Sequence, residues 1–274
     1  MNVLTKNNRM KISIITINYN NAIGLERTIK SVISQDFKDY EYIIIDGGSN
    51  DGSVDIIEKY ADEIDFWVSE PDKGIYNAMN KGVSHAHGEY LNFMNSGDCY
   101  HANTVLKEIN NKLNGEDIII GRCCNAETKM IYKSLIPGQS VTMMTMMKEM
   151  INHQSTFYHY TIFDKHQYDE KFKIISDWKV NLQSIVMDNC KIKVIDTFIV
   201  DYDMTGISTI NSELFQKERK MVLDELIPPR IQKDYERLYT DEELPIVTLL
   251  PQLKNSWRLQ RLVYKFTKLL LKIR

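Results

Sequence analysis

Four short polar segments in the first hundred residues each follow an apolar run: Asn18-Tyr19-Asn20, Asp46-Gly47-Gly48-Ser49, Glu70-Pro71-Asp72 and Asn95-Ser96-Gly97-Asp98. Three of them carry carboxylates, which accept hydrogen bonds and ligate hard cations. Mg²⁺ is typically held by one or two carboxylates plus substrate phosphates, so Asp98 alone suffices where a diphosphate supplies the remaining oxygens. In the segment 46–53, glycines let the backbone approach a ligand closely, and Asp46 could accept from a base or a ribose. Taken singly, these segments also read as turns followed by helix N-caps, for which Asp, Asn and Ser are the usual residues. Their recurrence is what points to a site.

The elements between them explain why they would meet. Residues 11–17, 42–45, 64–68 and 89–94 are short, β-branched and apolar, as buried parallel strands are. Residues 24–35, 53–60 and 74–86 carry helical spacing. A β-α-β-α-β series with short links predicts an α/β fold, a mostly parallel sheet with helices on both faces. Ligands of such sheets bind at the carboxyl ends of the strands, where all four polar segments fall. Further on, 103–113 and 178–188 read as helices and 117–121 and 192–200 as strands, while 122–175 gives no clear pattern. Beyond 201 the signals are helical and more polar, with a boundary expected near 205. Residues 205–209 read either as a loop closing over phosphates or as a plain turn.

The chain has 274 residues, 43% hydrophobic and 26% charged, which suits one large domain, or one plus a small appendage. A net charge of −3 argues against a general nucleic-acid binder. The charge is uneven: residues 254–274 hold seven basic residues and no acid, which leaves −10 on the rest. The four cysteines form no C-x-x-C pair, so neither a zinc site nor a disulfide framework is indicated, and reduced thiols are expected. Residues 1–10 lack the apolar stretch of a secretory signal, and no uncharged apolar run reaches 18 residues.

Five ordered blocks within residues 11–98 resemble the donor domain of glycosyltransferase family 2, the inverting GT-A-fold enzymes. They are residues 13–20, 31–35, 45–53, 69–82 and 88–98. His153-Gln154 and residues 175–178 resemble acceptor-side blocks of the same family. The resemblance implies a GT-A domain over 10–205, with a donor half 10–100 and an acceptor half 101–205. A helical region, 206–274, would follow. The resemblance puts Tyr19 on the nucleotide base, with Asp46 and Asp72 lining the base and ribose pocket. Gly47, Lys73, Asn80, Ser96 and Gly97 would also contact the donor. Asp98 would hold Mn²⁺ or Mg²⁺ against the diphosphate, and His153 and Gln154 would touch the acceptor or the diphosphate. Asp177 would be the general base, with Asp169 and Glu170 as rivals; Asp177 also reads as a helix N-cap. Two departures stand out: Gly47 and Ser96 occupy positions where many relatives carry acids.

The expected activity is a single displacement from a nucleoside-diphosphate sugar, with a UDP-sugar first among donors, onto a glycan or lipid-linked saccharide of a bacterial surface polysaccharide. A sugar nucleotidyltransferase and a non-catalytic nucleotide-sugar-binding protein are the alternatives. At 100° per residue, Leu259, Leu262, Val263, Phe266, Leu269, Leu270 and Ile273 fall in one arc beside Arg258, Arg261, Lys265, Lys268 and Lys272. A basic amphipathic helix over 256–274 either lies in a membrane interface, with about 1 kcal/mol from anionic lipid per basic residue, or packs on the domain. The first reading makes the protein peripheral on the inner face of the cell membrane.

Overall fold

The computed structural model describes residues 10–131, 135–203, 212–242 and 256–270. The strands are β1 (Ile12–Asn18), β2 (Tyr40–Asp46), β3 (Phe66–Ser69), β4 (Tyr90–Phe93), β5 (Cys99–Tyr100), β6 (Ile118–Asn125), β7 (Thr156–His159) and β8 (Ile192–Tyr202). They form one sheet in the order β3-β2-β1-β4-β7-β6-β8-β5. The β3-β2-β1-β4 half is parallel throughout. Antiparallel β7 joins it to the second half, where β6 and β8 run parallel and β5 antiparallel. The expected α/β architecture is present, with antiparallel ladders confined to the later strands.

Every residue of β1 is buried, which follows from cover on both faces of the sheet. Side chains alternate between those faces. Ile12 and Ile14 join one cluster with Leu25, Ile29 and Val32 of α1 (Ala22–Ile33) and Ile57 of α2 (Ser53–Lys59). α3 (Ile75–His85) packs on β1 and β2. α1 starts where the Asn21 side chain accepts from Gly24 N at 3.1 Å, an N-cap bond. α4 (Val105–Asn110) closes this part of the chain.

The stretch 122–175, unassigned from sequence, holds α5 (Met143–Lys148), a 3-10 turn (His153–Ser155), β7 and α6 (Thr161–Lys165). α7 (Ser176–Leu182) follows and runs into a π turn, Gln183–Met187. Helices Ser212–Leu226, Pro229–Glu242 and Trp257–Leu270 complete the described chain. The chain forms two compact units, Met1–Val222 and Leu223–Arg274. The boundary expected near 205, the loop 205–209 and the last turn of the basic helix, 271–274, lie outside the described residues.

Candidate active site

The carboxyl ends of β1 and β2, the 71–76 segment and the turn after β4 meet the 3-10 turn, the start of α7 and the end of β8. Together they enclose a cavity of about 590 Å³. That volume suits a small-molecule ligand, and the cavity lies where the strand-end rule predicts.

On the donor side, Tyr19, Gly47 and Asp72 line the cavity, and Tyr19 is 66% exposed. A Cβ on Gly47 would lie 2.6 Å from Asp72 Oδ2 and 3.1 Å from Tyr19 Cδ2. Asp72 therefore fills the space that a second acid at position 47 would need. Its other oxygen accepts from Gly74 N at 2.8 Å.

Asp46 is a correction. It is fully buried and does not line the cavity. Its Oδ1 accepts from Asn18 Nδ2 (2.7 Å) and Ser49 Oγ (2.5 Å). Its Oδ2 accepts from Gly48 N, Ser49 N and Ser69 Oγ. Burial pushes this carboxyl up, but the bonds from Ser49, Ser69 and Asn18 prevail and hold it below the usual carboxylate range. Asp46 thus fixes the turn that presents Gly47, and no acceptor is left for a base or ribose. Two further expectations shift as well. Asn80 donates to Tyr168 O (2.8 Å) and Glu170 Oε1 (3.0 Å), so its amide ties α3 to the 168–170 loop. Lys73 is exposed and does not line the cavity.

Asp98 closes the inner end of the cavity. The turn before it needs Gly97 at φ +107°, a conformation glycine adopts without a Cβ penalty. Gly97 N donates to Thr28 Oγ1 at 2.9 Å. Only 3% of Asp98 is exposed. Its Oδ2 accepts from Gln154 Nε2 and its Oδ1 from Asp203 N, both at 2.8 Å. Burial pushes its carboxyl up to about 6 against those two bonds, with the Asp203 charge adding a smaller upward push. Asp203 lines the same cavity, and a Cβ on Gly97 would lie 3.0 Å from its Oδ2. The Asn95 side-chain oxygen, in the same turn, is buried without a partner. Two carboxylates, of which Asp203 also holds Arg27 Nη2 at 3.1 Å on Oδ2, and an unpartnered oxygen line this part of the cavity, and oxygen donors of this kind suit a hard divalent cation.

Asp177 lies on the cavity at the second residue of α7, so it is not the N-cap, which is Ile175. Its Oδ1 accepts from Tyr76 Oη (3.0 Å) and Trp178 N (2.8 Å). Its Oδ2 meets His153 Nδ1 at 2.9 Å. Burial, then the Asp177 charge, push the Tyr76 hydroxyl well above its ordinary value, so it stays a donor. With the His153 proton on Nδ1, Nε2 accepts from Asn95 Nδ2 at 3.0 Å. His153 and Gln154, adjacent in the 3-10 turn, are thus divided between the two carboxylates, His153 on Asp177 and Gln154 on Asp98. The rival acids are engaged elsewhere: Asp169 pairs with Lys179 at 2.8 Å and Glu170 accepts from Asn77 and Asn80.

Sequence reasoning missed Asn21, Tyr76, Lys173, Tyr202 and Asp203, all on the cavity wall. Asp203 was within reach of the strand-end rule, because β8 ends at Tyr202 rather than at 200. Tyr76 and Lys173 carried no local signal.

Fold and site together define an α/β protein with two carboxylates, Asp98 and Asp177, set across one cavity at the strand ends. Residues 13–163 match the model of glycosyl transferase family 2, and the chain belongs to that family. It is 30% identical over 203 residues to an uncharacterized glycosyltransferase of Mycobacterium tuberculosis, covering 72% of this chain and 77% of that protein. S. aureus TarS 1–349 in complex with UDP-GlcNAc superposes with a TM-score of 0.64 at 18% identity, over 92% of this chain and 78% of that one. The mannosyltransferase PcManGT of Pyrobaculum calidifontis, in complex with GDP-Man and Mn²⁺, gives 0.59 at 13% identity, over 90% and 80%. The fold is GT-A.

Proposed function

We propose that the protein is an inverting transferase moving a hexosyl or N-acetylhexosaminyl group from a nucleoside-diphosphate sugar, first a UDP-sugar, to a hydroxyl of a glycan or lipid-linked saccharide. The observation that carries this reading is the pair of carboxylates in one cavity. Asp98 sits in the buried oxygen-lined end, and Asp177 is oriented by Tyr76 and His153. The donors present in TarS and PcManGT, and the Mn²⁺ in the latter, support it.

In this reading, residues 10–100 bind the donor and 101–205 the acceptor. Tyr19 stacks on the base, beside Asp72 and the bare backbone of Gly47. Ser96 and Gly97 form the turn beneath the diphosphate. Asp98 and Asp203 would hold Mn²⁺ or Mg²⁺, which supplies positive charge against the leaving diphosphate. Asp177 Oδ2 takes the proton of the acceptor hydroxyl as its oxygen bonds to the anomeric carbon. The bond from that carbon to the diphosphate breaks in the same step, which inverts the centre. A carboxylate has about four acceptor positions; three are used on Asp177, so Oδ2 retains one. General-base assistance of this kind contributes roughly 10²–10⁴ in rate.

No helix among the described residues is long and apolar enough to cross a membrane. Helix Trp257–Leu270 exposes Leu259, Leu262, Phe266 and Leu269, and carries Arg258, Arg261, Lys265 and Lys268. In this reading it lies in the interface of an anionic membrane on the cytoplasmic face, beside a lipid-linked acceptor of bacterial surface-polysaccharide synthesis.

The test is a donor screen with Mn²⁺ and UDP-, GDP- and dTDP-sugars, following nucleoside-diphosphate release by wild type, Asp98→Ala and Asp177→Asn. Metal-dependent release with one donor, lost in both variants, supports the reading. Donor binding unaltered in Asp177→Asn, with no turnover by wild type on any acceptor tried, favours a binding protein. No binding of any donor overturns the assignment of the cavity.

A further inference from the structure

Away from the cavity, three side chains from three elements converge on one point. β8 runs between β6 and β5, and Asp201 of β8 is in register with Cys124 of β6 and Cys99 of β5. His101 follows β5 and is tied to β8 by its N–H to Ile199 O at 2.9 Å. His101 Nδ1 lies 2.7 Å from Asp201 Oδ1, and Cys124 Sγ lies 2.9 Å from the same oxygen. The sulfur and the ring nitrogen are 3.7 Å apart. Lys129 Nζ holds the other carboxylate oxygen at 2.6 Å. Cys124 is buried, Asp201 nearly so, and the His101 side chain is 40% exposed.

We propose that His101, Cys124 and Asp201 form a binding site for a borderline-soft divalent metal of the zinc type, separate from the oxygen-lined site at Asp98. Imidazole, thiolate and carboxylate are the ligand types zinc takes, and three protein ligands leave a fourth position for water. The half-open His101 side gives that position access to solvent. Tetrahedral zinc with these ligands sets N, O and S roughly 3.3–3.6 Å apart. The S–N separation already fits. The two shorter separations are hydrogen bonds whose protons a metal replaces, and each must open by roughly 0.6–0.7 Å to reach that geometry. The balance is simple: the thiol proton of Cys124 goes to solvent, the imidazole proton moves to Nε2, and Asp201 stays ionised. Lys129 on Oδ2 keeps Asp201 oriented, as outer partners of metal ligands do.

The placement gives the site a purpose. His101 is three residues after Asp98, and Asp201 is two before Asp203. A metal here would clamp the chain segments that carry Asp98 and Asp203. Cysteine spacing could not reveal it, because each ligand comes from a different part of the chain.

The test uses metal-free full-length protein titrated with Co²⁺, then Zn²⁺. The expected result is a thiolate-to-cobalt charge-transfer band saturating at one equivalent, displaced by Zn²⁺ and unaffected by excess Mg²⁺. Cys124→Ser should abolish the band, and His101→Gln should weaken Co²⁺ binding at least about tenfold, with circular dichroism showing both variants folded. If a variant fails to fold, blocking of the band by Cys124 alkylation in wild type, located by mass spectrometry, decides instead. No band in wild type, or a band that survives loss of Cys124, overturns the proposal. Neither readout depends on transferase activity, so its failure would leave the reading of the cavity standing.

Discussion

Replacing Asp98 by Asn should stabilise the metal-free protein at neutral pH while abolishing cation-dependent turnover. Burial raises the Asp98 carboxyl from 3.8 to about 6. Between those values the folded protein binds more protons than the unfolded chain, so stability falls as pH rises through that window and then levels off. At about 1.36 kcal/mol per pH unit, the interval makes the ionised carboxylate cost about 3 kcal/mol at neutral pH. The amide introduced by Asp98→Asn keeps an acceptor for Asp203 N, and the Gln154 amide can turn to accept from its NH₂, so no buried partner is lost. The assay is urea unfolding of wild type and Asp98→Asn in EDTA, from about pH 4 to about pH 8. The two should be nearly equal at the acid end, with the variant ahead by up to about 3 kcal/mol at the other. Mn²⁺ at a hundredfold excess over its Kd should restore about 2.7 kcal/mol to wild type and nothing to the variant. A pH-independent difference, or a variant that loses ground as pH rises, would refute the account of Asp98 as a buried charge kept for a cation.

Four other outcomes follow from the geometry. Asp177→Asn should retain donor binding, measured by calorimetry, and lose turnover by roughly 10²-fold or more. Gly47→Ala drives a methyl into Asp72 and Tyr19; UDP-sugar affinity should fall about tenfold, equivalent to about 1.4 kcal/mol, with little change in Tm. Asp46→Asn withdraws the charge from five hydrogen bonds and should cost on the order of 3 kcal/mol in urea unfolding. Deletion of residues 255–274 should abolish sedimentation with anionic vesicles and spare hydrolysis of soluble donor; unchanged vesicle binding would remove the membrane reading.

The first half of the fold was legible because buried parallel strands are continuous β-branched runs. The runs at 11–17 and 42–45 could be read as strands from side-chain type alone and fall on β1 and β2, and helical spacing placed α1 and α3 between strands. The stretch 122–175 was opaque for the opposite reason. β7 has only four residues between a 3-10 turn and a helix of five, and its pairing with β4 and β6 is non-local. Short elements stabilised by distant partners leave little periodicity to detect.

Within the site the same division holds, and it is a division between identity and direction. The residue types at the strand ends, and the rule that strand carboxyl ends gather, were enough to place Tyr19, Asp72 and Asp98 in one region, while Asp177, on a helix, came only from the family resemblance. Only the tertiary structure decided which carboxylates face the cavity. Asp46 and Asp98 look alike in sequence, each an aspartate at the end of an apolar run and beside glycine. Asp46 is turned inward because Asn18, Ser49 and Ser69 surround it with donors. Asp98 faces the cavity because the chain offers it two neutral donors and a second acid, Asp203, from about a hundred residues away. The strand end sets where a carboxylate begins; the donors folded around it, most of them remote in sequence, set where its charge points.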